Sequence, residues 1–279
     1  MDTTYCIYNG HLVDSYEPFI PFHNRAFRYG DSLFETIRVS NGKVMFLSDH
    51  LTRLKLGMTV LRMNVPADMR TDTILPLLQL LVEKNKLKPN ARFRITVFRN
   101  EGGFYAPESN DISFLIEGKS IEDQGYVLNE KGLWVDLYTD IRKQINKLSN
   151  IKSGSALTYV MAGLTKQSMN LDDVLIVNEN SHICEAISSN LFVVKNGTLF
   201  TPPLNDGCVA GIMRKQVLSL AHQHKILYFE NQITVNTLMN GDEAFLTNAI
   251  RGIQWIGQFK NKYYTNKTAQ FLTEKLNKF

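Results

Sequence analysis

Cysteine is scarce in this chain of 279 residues. Cys6, Cys184 and Cys208 show no CxxC spacing and no paired pattern. That excludes a disulfide framework and a zinc or other metal site built on cysteines, and it points to reduced thiols in a cytoplasmic protein. No apolar run reaches the roughly 18 residues that a membrane-spanning helix needs, so no membrane partner is expected. Met1-Asp2-Thr3-Thr4-Tyr5 lacks the basic segment and apolar stretch of a secretory signal, and none is expected. Charge is also muted. The formal net charge is +4, and the densest basic group (Lys260, Lys262, Lys267, Lys275, Lys278) is broken by aromatic and polar residues. It reads as the wet face of a last helix, not as a nucleic-acid stripe. The chain shows no internal repeat and no low-complexity segment.

What is present builds a globular protein. Hydrophobic residues at 44% and charged residues at 21% suffice for a large core, and the length admits one large domain or two smaller ones. Asn9-Gly10 and Asn41-Gly42 each punctuate a pair of strand-like runs and predict two hairpins, Tyr5 to Val13 and Ser32 to Leu47. Between them, residues 24–31 read as a ligand-facing loop. Ser48 is placed to cap a helix reaching about Met63, on which His50 and Arg53 project from one face. A second helix is expected over Thr73 to Lys86, with Pro76 tolerable only in its first turn. Ala91 to Arg99 alternates as a strand, setting Arg92 and Arg94 on one face, and Ile112 to Glu117 is another. The pattern is α+β. The expected division is an N-terminal domain over 1–119, a linker over 120–130 and a C-terminal domain over 131–279.

In the second half, strands are expected within Tyr126 to Tyr138, and a polar connection leads to Lys152. Ser153 or Ser155 can cap the helix that follows. Lysine becomes a nucleophile when burial or positive neighbours lower its pKa and free its amine. Runs 174–177, 182–187 and 191–194 read as a meander. Glu185 has the parity of Ile183 and Ile187, which places it on an inward face where a carboxylate needs a partner, such as a pyridinium nitrogen. Ser188, Ser189 and Asn190 offer polar groups for phosphate or substrate oxygens. Gly211-Ile212-Met213-Arg214 opens a helix whose free N–H groups can hold a phosphate. Glu243 to Asn248 is a strand, a hairpin turns at Lys260-Asn261, and an amphipathic helix closes the chain. Arg94, Arg99 and Arg251 are each candidates for clamping a substrate carboxylate.

These motifs, taken in order from Tyr29-Gly30-Asp31-Ser32-Leu33-Phe34-Glu35-Thr36-Ile37-Arg38 to Phe245-Leu246-Thr247-Asn248, resemble the class-IV aminotransferases. These are fold-type IV pyridoxal 5′-phosphate (PLP) enzymes, including branched-chain and D-amino-acid aminotransferases and aminodeoxychorismate lyase. The resemblance implies a smaller N-terminal α/β domain, a larger C-terminal β-barrel-like domain with helices, PLP between them, and a homodimer. It implies that Lys152 forms the Schiff base and shuttles the proton, that Glu185 partners the pyridine nitrogen, and that Arg53 binds the phosphate. Ile212 and Met213 would add backbone N–H groups, with Asn248 and the Ser188-Ser189-Asn190 run completing the cofactor set.

The motifs divide over subgroup. Leu157 stands five residues after the lysine, where branched-chain enzymes carry tyrosine. Ser188-Ser189-Asn190 is closer to D-amino-acid aminotransferases. Tyr29-Gly30-Asp31, Phe34-Glu35-Thr36 and Glu101-Gly102-Gly103 look more like the lyase, for which Thr36 is a candidate proton-transfer hydroxyl. Trp255 stands where many relatives have proline. The leading expectation is transamination between an amino acid and a 2-keto acid, with Tyr29, Arg94 and Arg251 at the substrate. The alternatives are aminodeoxychorismate lyase and, from another class, a non-catalytic PLP or basic binding protein.

Overall fold

The computed structural model describes residues 4–17, 19–122 and 125–278. Positions 123 and 124 of the expected linker lie outside the described residues, as do the first three residues read for a secretory signal. The chain forms two compact units. One comprises Met1–Gly125 with Ile151–Ser155, the other Tyr126–Asn150 with Ala156–Phe279. Each mixes helices with a sheet, which bears out the α+β reading.

In the first unit, β1 (Tyr5–Tyr8) and β2 (His11–Asp14) form the first hairpin. Asn9 at φ 49° and Gly10 at φ 83° give the turn its left-handed backbone. The short α1 (Arg25–Tyr29) replaces the loop expected over 24–31. Asn24 accepts the Ala26 N–H at 2.9 Å and Gly30 ends the turn at φ 66°, so both ends of a single helical turn are satisfied. Next come β3 (Ser32–Ser40), β4 (Lys43–Val44), α2 (Leu47–Val60), α3 (Thr71–Lys84), β5 (Ala91–Arg99) and β6 (Ile112–Ser120). The strands lie in the order β2-β1-β6-β5-β3-β4, with every pair antiparallel. Ile37, Phe93, Ile95 and Val97 bury one face of this sheet with Leu51, Leu54 and Met58 of α2 and Leu78 and Leu81 of α3.

Two helix starts differ from expectation. Ser48 does not cap α2. The chain turns at Phe46, in the left-handed region at φ 54°, with no side-chain cap. In α3, Pro76 sits inside the helix, beyond its first turn. The carbonyl that loses its donor belongs to Asp72, which is exposed and can bond water instead.

The second unit contains β7 (Leu133–Lys143), α4 (Leu157–Ser168), β8 (Asp173–Asn178), β9 (Ile183–Ala186), β10 (Asn190–Lys195) and β11 (Thr198–Thr201). These are followed by α5 (Ile212–Gln223), β12 (Tyr228–Glu230), α6 (Val235–Met239), β13 (Glu243–Asn248), β14 (Gly252–Phe259), β15 (Lys262–Tyr263) and α7 (Lys267–Leu276). The sheet runs β12-β11-β10-β13-β14-β7-β8-β9, with β15 added on β14. β7 starts and ends later than the expected 126–138, because its parallel ladder with β8 continues past an irregularity to pair Lys143 with Asn178. Neither Ser153 nor Ser155 caps α4, whose cap position is Ala156.

The expected meander is broken. β8 pairs with β9, but β10 lies between β11 and β13. The parity placed on Glu185 holds for Ile187, which packs against the cluster on the same side, and fails for Ile183. Glu185 pairs with Ile176 and Ile183 with Val177, so Cys184 is an extra residue in β9. Such a bulge reverses the alternation. Ile183 packs with Leu175 and Ala186, whereas Ile176 and Cys184 belong to a separate cluster with Tyr138 and Cys208. Glu185 is buried on that second side.

A buried carboxylate also seats α7. Glu243 accepts the Thr268 N–H at 2.8 Å, the Thr268 hydroxyl at 2.9 Å and the Ala269 N–H at 3.3 Å. Glu243→Ala is expected to lower unfolding free energy by about 2 kcal/mol. A urea titration checks this, and a loss below about 0.5 kcal/mol contradicts the assignment.

Candidate active site

Glu185 is a buried carboxylate of the second unit, at 3% exposure. Lys143, at the end of β7, donates its ammonium to Glu185 Oε1. Tyr159 on α4 donates its hydroxyl to the same oxygen at 2.7 Å, and Lys143 also reaches that hydroxyl at 2.8 Å. The Val209 N–H donates to Oε2 at 2.8 Å. A carboxylate offers about four acceptor positions. These three donors leave one position, on Oε2, that suits a single further N–H. Burial, with the Glu185 charge next in size, pushes the Tyr159 hydroxyl far above its usual range, so it stays a neutral donor.

The start of α5 lies close by in the same unit. Gly211 occupies the cap position and no side chain caps the helix, so its first N–H groups, including those of Ile212 and Met213, face outward at the positive end. A Cβ on Gly211 would fall on Asn190 Oδ1, so only glycine lets the backbone approach this closely. Asn190 donates its amide to the Val209 carbonyl at 2.8 Å, which links the helix start to the segment that holds Glu185. Across the β10–β13 ladder, Asn190 pairs with Thr247, whose buried hydroxyl has no hydrogen-bond partner among the described residues. Asn248 donates to Ser189 Oγ at 3.0 Å, and Ser188 is exposed. Uncapped N–H groups, a cradle closed to side chains and an orphaned hydroxyl together fit a phosphate-sized anion.

In the first unit, the backbone holds Lys152 on β3. Phe34 N–H donates to the Lys152 carbonyl at 2.9 Å, and Gly154 N–H to the Ser32 carbonyl at 2.8 Å. The Lys152 ammonium nitrogen lies 4.5 Å from the centroid of the Phe34 ring, and the Arg94 guanidinium carbon lies 3.8 Å from the same centroid. Phe34 pairs with Thr96 and Thr36 with Arg94 across the β3–β5 ladder. Lys152, Thr36 and Arg94 therefore share one sheet face, opposite the hydrophobic core. Burial lowers the Arg94 pKa, against the raising influence of Glu117.

Arg53 is held from behind. Its Nε donates to Glu35 Oε1 at 2.8 Å, and His50 Nδ1 lies 2.6 Å from Glu35 Oε2. Glu35 is only 1% exposed. Burial alone would raise its carboxyl, but the Arg53 guanidinium and the bonds from His50 and Arg53 outweigh burial and hold it below the usual range. A further network fixes the nearby loops. Arg25 and Arg99 both donate to Asp31, at 3.0 and 2.9 Å, and Arg25 reaches the Phe104 carbonyl at 2.6 Å. Arg99 also donates to the Leu61 carbonyl at 2.7 Å and to Asn110, so its guanidinium is held by groups of the protein. The Tyr29 ring lies 5.6 Å from that of Tyr105, tilted by 48°. Arg251 is exposed on the turn after β13, with its N–H 2.8 Å from Asn248 Oδ1.

Four residues of these constellations escaped the sequence reading. Glu35 was visible only within a motif. Lys143 and Tyr159 look like a strand-end lysine and one aromatic on a helix, and Thr247 looks like a strand residue. The one available signal was the demand of a buried Glu185 for a nearby cation.

A family model described as amino-transferase class IV matches residues 32–259. The chain is 27% identical over 271 residues to a putative branched-chain-amino-acid aminotransferase of Methanocaldococcus jannaschii, covering 96% of this chain and 92% of that protein. It is 25% identical to a D-alanine aminotransferase of Bacillus licheniformis, with coverages of 86% and 83%. It is 26% identical to an aminodeoxychorismate lyase of Vibrio harveyi, with coverages of 84% and 85%. Among solved structures, the Thermoproteus uzoniensis branched-chain aminotransferase with norvaline superposes with a TM-score of 0.89 at 24% identity, covering 98% of this chain and 93% of that one. A putative 4-amino-4-deoxychorismate lyase from Legionella pneumophila gives 0.85 at 25% identity, covering 95% and 96%. The fold is therefore that of the fold-type IV aminotransferases.

The lowered Glu35 pKa has a defined consequence for stability. Its ionised form stabilises the fold above the unfolded carboxylate pKa, and that contribution is lost as pH falls through the lower folded value. Glu35→Gln is expected to cost about 3 kcal/mol at pH 7, with the gap to wild type narrowing below about pH 4. Urea titrations at the two pH values check this. A gap that stays constant contradicts it.

Proposed function

The chain belongs to the amino-transferase class IV family, and from that premise we propose a PLP-dependent aminotransferase that moves an amino group between an amino acid and a 2-keto acid. The observation that carries the reading is Glu185, a buried carboxylate with three protein donors and one acceptor position left for a ring N–H. The α5 start and the partnerless Thr247 hydroxyl fit the cofactor's phosphate in the same unit. Bound there, PLP supplies an electron-withdrawing ring that makes the substrate Cα proton removable.

The protein's own groups have these roles. Lys152 would be the amine that holds the cofactor, and its free amine would be the base that takes up and returns the substrate Cα proton. Phe34 orients that amine, with the Lys152 nitrogen 4.5 Å from its ring centroid. Ile212 and Met213 N–H groups, with Asn190, Ser188, Ser189, Asn248 and Thr247, would hold the phosphate from the second unit. Arg53, in the first unit, is the phosphate-binding guanidinium that the family resemblance implies, its plane fixed by Glu35. Arg94 receives the substrate carboxylate, with Tyr29 and Arg251 as further contacts.

A second reading, aminodeoxychorismate lyase, draws on Thr36. Its position on the Lys152 face supplies a hydroxyl for protonating the departing carbon, and Leu157 stands, 77% exposed, where branched-chain enzymes carry tyrosine. We further propose a homodimer. Leu157, Val160, Met161 and Leu164 make an exposed apolar stripe along α4, at the spacing of one helix face. The three free thiols, all buried, suit the cytoplasm. No helix among the described residues is long and apolar enough to cross a membrane.

The two reactions separate in a single turnover. Purified, PLP-loaded protein is mixed with amino acids of either hand, or with aminodeoxychorismate, in the absence of a keto acid. Stoichiometric conversion of the cofactor to pyridoxamine phosphate by an amino acid is expected. Repeated pyruvate release from aminodeoxychorismate with the cofactor unchanged selects the lyase instead.

A further inference from the structure

We infer that Lys143 is a positioning residue that weakens the hold of Glu185 on the ring-nitrogen proton, and so sets how strongly the cofactor draws electrons from the substrate. The inference rests on the reading that Glu185 faces the ring nitrogen. Lys143 is buried at the end of β7, after an irregularity in the β7–β8 ladder. Its ammonium donates to Glu185 Oε1 and to the Tyr159 hydroxyl, and it lies 5.4 Å from the Tyr159 ring. Burying an ammonium beside a carboxylate is seldom the most stabilising solution, because well-packed apolar residues serve stability as well or better. A charge kept there acts on the carboxylate it touches.

The surroundings make the effect specific. Glu185 is faced by Lys143 from β7, Tyr159 from α4, Cys184 from its own strand, and Cys208 with the Val209 N–H from the segment before α5. Burial, reinforced by the Glu185 charge, pushes the Cys184 thiol far above its usual range and the Cys208 thiol up to about 12. Tyr159 is raised likewise. All three are neutral across the working pH range. Arg214 is engaged with the Pro202 carbonyl and Glu230. Among the described residues, Lys143 is thus the cation in hydrogen-bond contact with Glu185. An adjacent cation lowers the proton affinity of a carboxylate and repels a protonated ring, so both influences act in one direction.

The test loads the protein with PLP labelled with nitrogen-15 in the ring and follows the ring-nitrogen shift against pH. Lys143→Met is expected to raise the midpoint of ring protonation by about one pH unit or more. Lys143→Arg, which keeps the charge, is expected to stay near wild type. A residue with only a structural role would weaken PLP retention and leave the midpoint in place. Should Lys143→Met not fold, Lys143→Gln keeps a donor without the charge and is expected to give the same upward shift. An unmoved midpoint in the uncharged variants, or a ring fully protonated to pH 10 in wild type and variants alike, overturns the inference. If Glu185→Gln alters ring protonation in that case, the reading of Glu185 survives. If it too changes nothing, that reading falls as well.

Discussion

A carboxylate removed from water must be met by donors, and the second unit is arranged so that Glu185 is met from several directions. The end of β7 brings Lys143, α4 brings Tyr159, and the segment before α5 brings the Val209 N–H. The bulge at Cys184 turns the carboxylate toward these partners and away from the cluster that holds Ile183. Losing any one donor would leave part of a buried charge unsatisfied, at several times the cost of a surface bond. Asn190 extends the same connection to Val209 and on to the glycine-capped start of α5. An acceptor for a ring N–H and a cradle for an anion are therefore fixed by one continuous set of hydrogen bonds.

The first unit positions its reactive groups differently. Ile151–Ser155 packs with it as a strand-like segment against β3, so the backbone sets the place of Lys152. The Phe34 ring lies against the Lys152 side-chain nitrogen and also against the Arg94 guanidinium, so one aromatic side chain positions both groups. Glu35, buried behind Arg53 and His50, keeps a guanidinium in one orientation. In both units a polar group that a ligand would meet is oriented by a second, buried group that the ligand would not touch.

Local chemistry was legible in the sequence and long-range pairing was not. Asn9-Gly10 and Asn41-Gly42 each form the turn that their left-handed preferences require. Burial of Glu185 and the side it shares with Ile187 were readable, but its separation from Ile183 was not, because one extra residue in β9 leaves no mark on composition. His50 and Arg53 were readable as neighbours three positions apart on a helix. Their common partner, Glu35, comes from another strand, and only tertiary structure joins them. Lys143 and Tyr159 were silent for the same reason. The α4 stripe was readable as helical periodicity, which carries no information on whether the apolar side faces a core or solvent.

The central claim is that Lys152, and not the buried Lys143, carries the cofactor. Borohydride reduction of the PLP-loaded protein, followed by peptide mass mapping, tests this directly. The account predicts the phosphopyridoxyl mass on the peptide containing Lys152 and an unmodified Lys143. A label on Lys143, or on no lysine at all, would contradict it.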